Sequence, residues 1–301
     1  MWIADTHADT LWAMGVRHQG AEELMVTPDS LRRGGVSLQT LALWTGPKGN
    51  AGDVAGIVAA ELAALEELRG QGLRQVDDPA EAPEGEISCM LSVEGGEVFE
   101  GGIHTVAEYR SRGVRMAAIV WNNENALAHP AANGSSERLT DYGLRAVREM
   151  QRLGIAVDVS HLNEAGFYDL FARGDRPPMA SHSCCRAMCG HVRNLTDDQL
   201  RLMIREGGYV GINFYPYFLA EDGRADAELV AEHIDHVCQM GGAAQVGLGS
   251  DFDGIEVQPS DLRGSADLPN LIQALRRRGY DENTIAGIAG GNLLAYFRRI
   301  S

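Results

Sequence analysis

Five stretches of this chain carry side chains that could ligate a metal or move a proton. The first is Asp5-Thr6-His7-Ala8-Asp9, almost at the N-terminus. Side chains alternate along an extended strand, so Asp5, His7 and Asp9 would share one face. Ionised carboxylates are costly to bury there unless a metal or a partner charge compensates. The others are Glu94 with Gly95-Gly96 behind it, Asp158-Val159-Ser160-His161, Ser181-His182-Ser183, and Gly249-Ser250-Asp251-Phe252-Asp253-Gly254. Each alone reads equally well as solvated loop or frayed strand. Together they offer imidazole and carboxylate without thiolate, a set that suits zinc or a similar divalent ion in an open, catalytic site. The ligands outnumber those of one tetrahedral ion. Two ions ~3.5–4 Å apart, sharing a carboxylate, would use them all. Glu94 is the natural bridge, because the two glycines let backbone and metals approach closely.

These groups must be positioned by strands. Eight short apolar, β-rich runs occur: Trp2–Ala8, Val36–Trp44, Ile87–Val93, Arg115–Trp121, Ile155–Ser160, Pro178–Ser181, Tyr209–Tyr215 and Val246–Ser250. Their apolarity is continuous rather than alternating, which marks strands buried on both faces of a parallel sheet. Helical periodicity lies between them: Val54, Val58, Leu62 and Leu65; Leu144, Val147, Met150 and Leu153; Ala227–Met240; Leu268–Arg278; Glu282–Phe297. Thr196 with Gln199 forms a capping box ahead of a helix. Strand–helix alternation of this kind predicts a (β/α)₈ TIM barrel, one domain over residues 1–301. A doubly wound open sheet is the runner-up, weakened by the lack of a G-x-G-x-x-G after the first strand. In a barrel every candidate ligand falls at a C-terminal strand end, and those ends share the face that carries active sites.

Composition narrows the partners. The 301 residues are 45% hydrophobic, with a formal net charge of -16. Such an acidic surface repels phosphate backbones, so neither nucleic acid nor an anionic membrane is an expected partner. The five cysteines form no disulfide or zinc-ribbon spacing, and free thiols suit a reducing compartment. No signal peptide, membrane-length apolar run or lipid-anchor motif is visible, and a cytoplasmic location is expected.

In this order the motifs resemble the renal (membrane) dipeptidase family, a branch of the amidohydrolase superfamily. They are Asp5–Asp9, Ser92-Val93-Glu94-Gly95-Gly96, Asp158–His161, Ser181–Ser183, Arg193-Asn194-Leu195-Thr196-Asp197 and Gly249–Gly254. The resemblance implies that His7 and Asp9 hold one zinc, that His161 and His182 hold a second, and that Glu94 bridges both. It implies that Asp251 is the catalytic aspartate and that Arg193 binds the substrate carboxylate. Family members carry a substrate-contacting His after strand 4; here that place falls on Trp121, with Asn122 and Asn125 as other candidate donors. Trp121 and Asn122 are therefore expected at the substrate.

The expectation is a binuclear zinc hydrolase of dipeptides, L-Xaa-D-Xaa included, working by attack of a metal-bridging hydroxide. A related hydrolase of another small amide or ester in a biosynthetic pathway is the alternative within the fold. A non-catalytic metal-binding barrel is the alternative outside enzymes. Dimers occur in the family, so a homodimer is left open. His233 and His236, spaced i, i+3 among acids, are expected on a solvated face; His191 lies near the mouth; Asp5 would steady a ligand, and Asp253 would orient its own loop.

Overall fold

The computed structural model describes residues 1–46 and 53–301. Its nine parallel strands are β1 (Ile3–Asp5), β2 (Val36–Trp44), β3 (Arg74–Gln75), β4 (Ser88–Glu94), β5 (Val114–Ala118), β6 (Ala156–Asp158), β7 (Met179–Ala180), β8 (Tyr209–Ile212) and β9 (Val246–Leu248). Eight of them close on themselves in the order β1-β2-β4-β5-β6-β7-β8-β9, with β9 pairing back to β1 through Asp5 and Leu248. The chain is a TIM barrel, and the open doubly wound sheet is excluded by that closure. The two-residue β3 lies outside the ring, pairing Arg74 with Ser88. Two partly exposed polar residues carry no apolar signal, so the sequence did not announce it.

Each barrel strand starts within one residue of an apolar run; β2 matches its run in full, β4 is shifted by one residue to end on Glu94, and the others are shorter. Trp2–Ala8, for example, is strand only to Asp5, after which single contacts replace the ladder, including a bridge from Ala8 to Phe252. The strand side chains are buried along their length. The register places Trp44, the last residue of β2, beside Glu94, the last of β4.

The barrel interior is divided by polarity. Its lower half is filled by Ala4, Leu38, Met90, Met116, Met179 and Tyr209, and is closed below by Tyr296, Phe297 and Ile300 of the terminal helix Asn292–Ile300. Above that plug the interior turns polar: Thr6, Thr40, Ser92, Asp158, Ser160 and Ser181 are all buried. A separate apolar layer packs the outer faces of the strands against the helices.

The capping box forms as expected, with Gln199 N–H donating to Thr196 Oγ1 at 3.2 Å and Thr196 N–H to Gln199 Oε1 at 2.9 Å. Two expected helices are interrupted. Ala227–Met240 is regular only to Val237 before a wider turn. Glu282–Phe297 breaks at Gly287–Gly291, where Trp2 packs so closely that a Cβ on Gly290 would lie 2.4 Å from its ring.

Candidate metal centre

His7 follows β1, Glu94 ends β4, His161 follows β6, His182 follows β7 and Asp251 follows β9, so all point into one mouth. Glu94 lies between the others and is split between them. Its Oε1 is 2.8 Å from His161 Nε2 and 3.5 Å from His182 Nε2, while its Oε2 is 3.6 Å from His7 Nε2. His7 Nε2 also faces Asp9 Oδ2 at 3.6 Å and Asp251 Oδ1 at 3.8 Å. Three groupings thus bring donor atoms within 4.8 Å of one another: His7 with Asp9 and Glu94, Glu94 with His161 and His182, and His7 with His182 and Asp251.

The hydrogen bonds behind the ligands decide what these atoms are. Ser181 Oγ donates its only proton to Asp158 Oδ2, so at 2.7 Å from His182 Nδ1 it must accept. His182 therefore carries its proton on Nδ1 and presents a lone pair at Nε2. Asn122 Oδ1 likewise accepts from His161 Nδ1 at 2.9 Å, leaving a lone pair on His161 Nε2. The two Nε2 atoms are 3.0 Å apart. Two lone pairs and a carboxylate oxygen at that separation repel one another unless a cation lies among them. His7 Nε2 and Asp9 Oδ1 are buried without any hydrogen-bond partner. Converging acceptors of imidazole and carboxylate type, oriented from behind, fit a divalent metal.

Electrostatics agree. Burial holds His161 down to about 4, helped by Arg193, and burial and His7 push His182 well below the ordinary imidazole value. Both rings are neutral, as ligands must be. For His7 burial works against the charged form, yet Glu94 and Asp9 hold its pKa well above the ordinary value. Glu94 is pulled well below the carboxylate range against burial, by His7 and His161.

The profile of the membrane dipeptidase family, peptidase family M19, matches residues 1–301. The chain belongs to this family. It is 34% identical over 224 residues to an uncharacterized protein of the pqqA 5' region in Klebsiella pneumoniae, across 71% of this chain and 82% of that one. It is 34% identical over 222 residues to an uncharacterized dipeptidase of Schizosaccharomyces pombe; there the match covers 71% of this chain but 53% of the yeast protein, about half its length. A crystal structure of a metallopeptidase from Rhodobacter sphaeroides, liganded with a phosphinate mimic of the dipeptide L-Ala-D-Ala, superposes with TM-score 0.89 at 27% identity, over 100% of this chain and 99% of that one. By family the chain is a metal-dependent dipeptidase.

The mouth of the dipeptidase barrel opens into a cavity of about 580 Å³. Arg193 and Trp121 line it, as does Asn122, although the carbonyl of Asn122 is committed to His161. Arg193 is buried, with Nη2 3.4 Å from His182 O, its guanidinium 5.5 Å from the Phe218 ring and its Nε without a partner. Burial lowers its pKa while Asp251 supports its charge. Asp251 itself is pushed up to about 7 by burial, against His7 and together with Asp9 and Glu94. It accepts from Asn213 Nδ2 at 2.9 Å, and its φ of 66° lies in the left-handed region, as does that of His161 at 70°. Non-glycine residues in that region cluster at functional sites. Asn125 is used by its own loop, donating to Ile119 O and accepting from Leu127 and Ala128, and does not reach the cavity.

Two readings change. The glycines after Glu94 serve protein packing: Gly95 has φ 96°, and a Cβ on Gly96 would lie 2.2 Å from Ile119 O. His233 is not solvated but fully buried, accepting Cys185 N–H at Nδ1 (3.1 Å) and meeting Leu219 O at Nε2 (3.0 Å); His236 pairs with Asp197 at 2.8 Å. Asp5 steadies His7 through the backbone, as expected: its Oδ1 accepts the His7 N–H at 3.4 Å. It also accepts from Gln39, Ser250 N–H and Ser250 Oγ, tying the end of β1 to the loop that carries Asp251. Asp253 binds Thr10 Oγ1 and the Met25 amide, joining its loop to the segment after β1.

Sequence reading passed over Trp12, Trp44, Tyr215 and Phe218, which line the cavity, and Asn213. Trp44, as the last residue of a strand, was open to the same strand-end logic that found Glu94. His191 lines the cavity too, its ring 4.5 Å from that of Phe218.

Proposed function

We propose that this chain is a single-domain, binuclear zinc dipeptidase of the cytoplasm, cleaving dipeptides that include the L-Xaa-D-Xaa class. The observation that carries this reading is the division of the Glu94 carboxylate, with Oε1 toward His161 and His182 and Oε2 toward His7. A carboxylate with one oxygen in each of two donor sets is the arrangement a bridging ligand requires. His7 and Asp9 would hold one ion, His161 and His182 the other. Two such ions, when bound, supply a water activated near neutral pH and a polarised scissile carbonyl.

The chain's own groups do the rest. Asp251 lies at the edge of the donor set and is raised to about 7, so it can take a proton from the nucleophile and return it to the leaving amine. Asn213 and the left-handed backbone hold its carboxylate in place. Arg193 pairs with the free C-terminal carboxylate, selecting short substrates. The L-Ala-D-Ala mimic in the Rhodobacter sphaeroides structure supports a dipeptide with a D-residue second. The free thiols, all but one buried, support the cytoplasmic assignment.

The test is metal analysis joined to a screen. Zinc-loaded protein should carry two equivalents and hydrolyse L,D and L,L dipeptides. A single equivalent at saturation would sink the two-ion reading; two equivalents with no dipeptide turned over would sink the substrate assignment.

A further inference from the structure

We propose that a wall of tryptophans selects the first residue of the substrate, and that this peptidase prefers dipeptides whose first side chain is aromatic. The inference rests on the dipeptidase reading, with Arg193 taking the terminal carboxylate.

The barrel order fixes the direction of the substrate. Around the ring, β2 lies opposite β7, and β5 lies opposite β9. Arg193 comes from the segment after β7 and stands over the Phe218 ring. A dipeptide anchored there by its carboxylate extends across the ligands toward β2. What it meets is Trp44 at the end of β2 and Trp121 just past β5, both lining the cavity. Their rings pack edge to face at 4.8 Å, and Trp12 backs Trp44 in the same manner at 4.3 Å. Trp44 is the register partner of Glu94, so this wall rises beside the carboxylate at the centre of the donor set.

The wall suits a ring. Indole faces carry a negative quadrupole and favour the edge of another aromatic group. Trp121 stands where the family resemblance places a histidine, so an imidazole donor has been exchanged for apolar area. An acidic first side chain would lie against the negative faces of the indoles. A basic one would meet Arg17, exposed at the mouth and already supporting the charge of Asp9. The cavity volume of about 580 Å³ is within the range that encloses drug-sized ligands, so an aromatic ring is accommodated.

The test uses metal-loaded protein and two series, Xaa-Gly and Gly-Xaa, with Xaa being Ala, Leu, Phe, Glu or Lys. Phe-Gly should exceed Ala-Gly in kcat/KM by about tenfold or more, the size expected for burying one ring against another. The Gly-Xaa series should show no such gradient. In Trp121→His and Trp121→Leu the Phe-Gly to Ala-Gly ratio should fall to about threefold or less as the aromatic pair is lost. Inhibition constants of phosphinate dipeptide analogues bearing benzyl or methyl at the first position should follow the same ratio, reading binding apart from turnover. Hydrolysis of Ala-Gly as fast as Phe-Gly, a best rate with Glu-Gly or Lys-Gly, or a ratio unchanged in both variants would overturn the aromatic wall while leaving the dipeptidase reading intact. No hydrolysis of any dipeptide by protein with its metals bound would overturn both.

Discussion

Replacing Ser181 by Ala should loosen one metal and leave the other in place. Ser181 Oγ lies between Asp158 and His182 Nδ1, and the His182 ring is only 1% exposed. Removal leaves a buried N–H without an acceptor, at a cost of about 1–3 kcal/mol. That converts to roughly 5–150-fold in affinity, which brackets the 10–100-fold typical of groups that orient a ligand from behind. The ring is also freed to move its proton to Nε2, which abolishes its donor atom. Asn122 performs the same service for His161 at 2.9 Å, but its side chain faces solvent. Water can take over, so Asn122→Ala should cost less than about tenfold. The assay is stepwise titration of apoprotein with zinc against a chromophoric chelator, resolving the two equivalents. The equivalent held by His7, Asp9 and Glu94 should bind as in the parent protein in both variants. Unaltered zinc affinity in a folded Ser181→Ala protein would refute the tautomer argument. So would a larger loss in Asn122→Ala than in Ser181→Ala.

Asp251→Asn should retain both metals and lose about 10²–10⁴-fold in kcat, since it removes the proton carrier alone; near-parental turnover would end that assignment. Arg193→Met should lower kcat/KM about 10–100-fold on dipeptides with a free carboxylate and much less on their amides, the difference being one charge-assisted contact; equal losses on both would count against the clamp. His233 is held down to about 4 by burial, below its ordinary 6.5. Its contribution to stability is therefore complete above about pH 6.5 and is lost as pH falls toward 4, by at most about 3 kcal/mol. His233→Ala should be less stable in urea at pH 7.5, and should lose less stability than the parent between pH 7.5 and 5. Parallel losses in the two proteins would exclude His233 as the titrating group.

The barrel and its donor set were legible for related reasons. Strands buried on both faces must be continuously apolar, and a polar side chain at the end of such a run stands out, which is how Glu94, His161, His182 and Asp251 were found. The same contrast hid other parts. Trp44 ends its run as one more apolar residue, so only its place at the strand end, and no change of polarity, marks a ring that enters the cavity. His233 sits among acids at helical spacing, but its neighbours on the fold are the Cys185 amide and the Leu219 carbonyl, contributed by distant loops. Asn122 was expected at the substrate because a donor seemed to be missing there. Only the three-dimensional placement of His161 Nδ1 shows what its carbonyl serves.

The two halves of the barrel interior are energetically linked. The upper half gathers acceptor atoms that repel one another without a cation and holds Asp251 and His161 in left-handed backbone, at a cost of order 1–3 kcal/mol each. The local hydrogen bonds, Asn213 to Asp251 and His161 to Asn122, orient these groups for a metal and leave the acceptors of the donor set facing one another. The lower half can offset it: Met90, Met116, Met179, Tyr209 and the terminal helix bury a continuous apolar plug directly beneath the polar layer. Asp5 couples the two, since it fastens β1 to Ser250, one residue before Asp251. Metal should therefore raise stability by relieving the upper half, by RT ln(1 + [L]/Kd) for each ion. A plug mutation such as Phe297→Ala, costing about 3–5 kcal/mol, should lower the melting temperature of apo and loaded protein alike while leaving zinc affinity unchanged. Weakened zinc binding in that variant would show that the plug sets the geometry of the site rather than only supporting it.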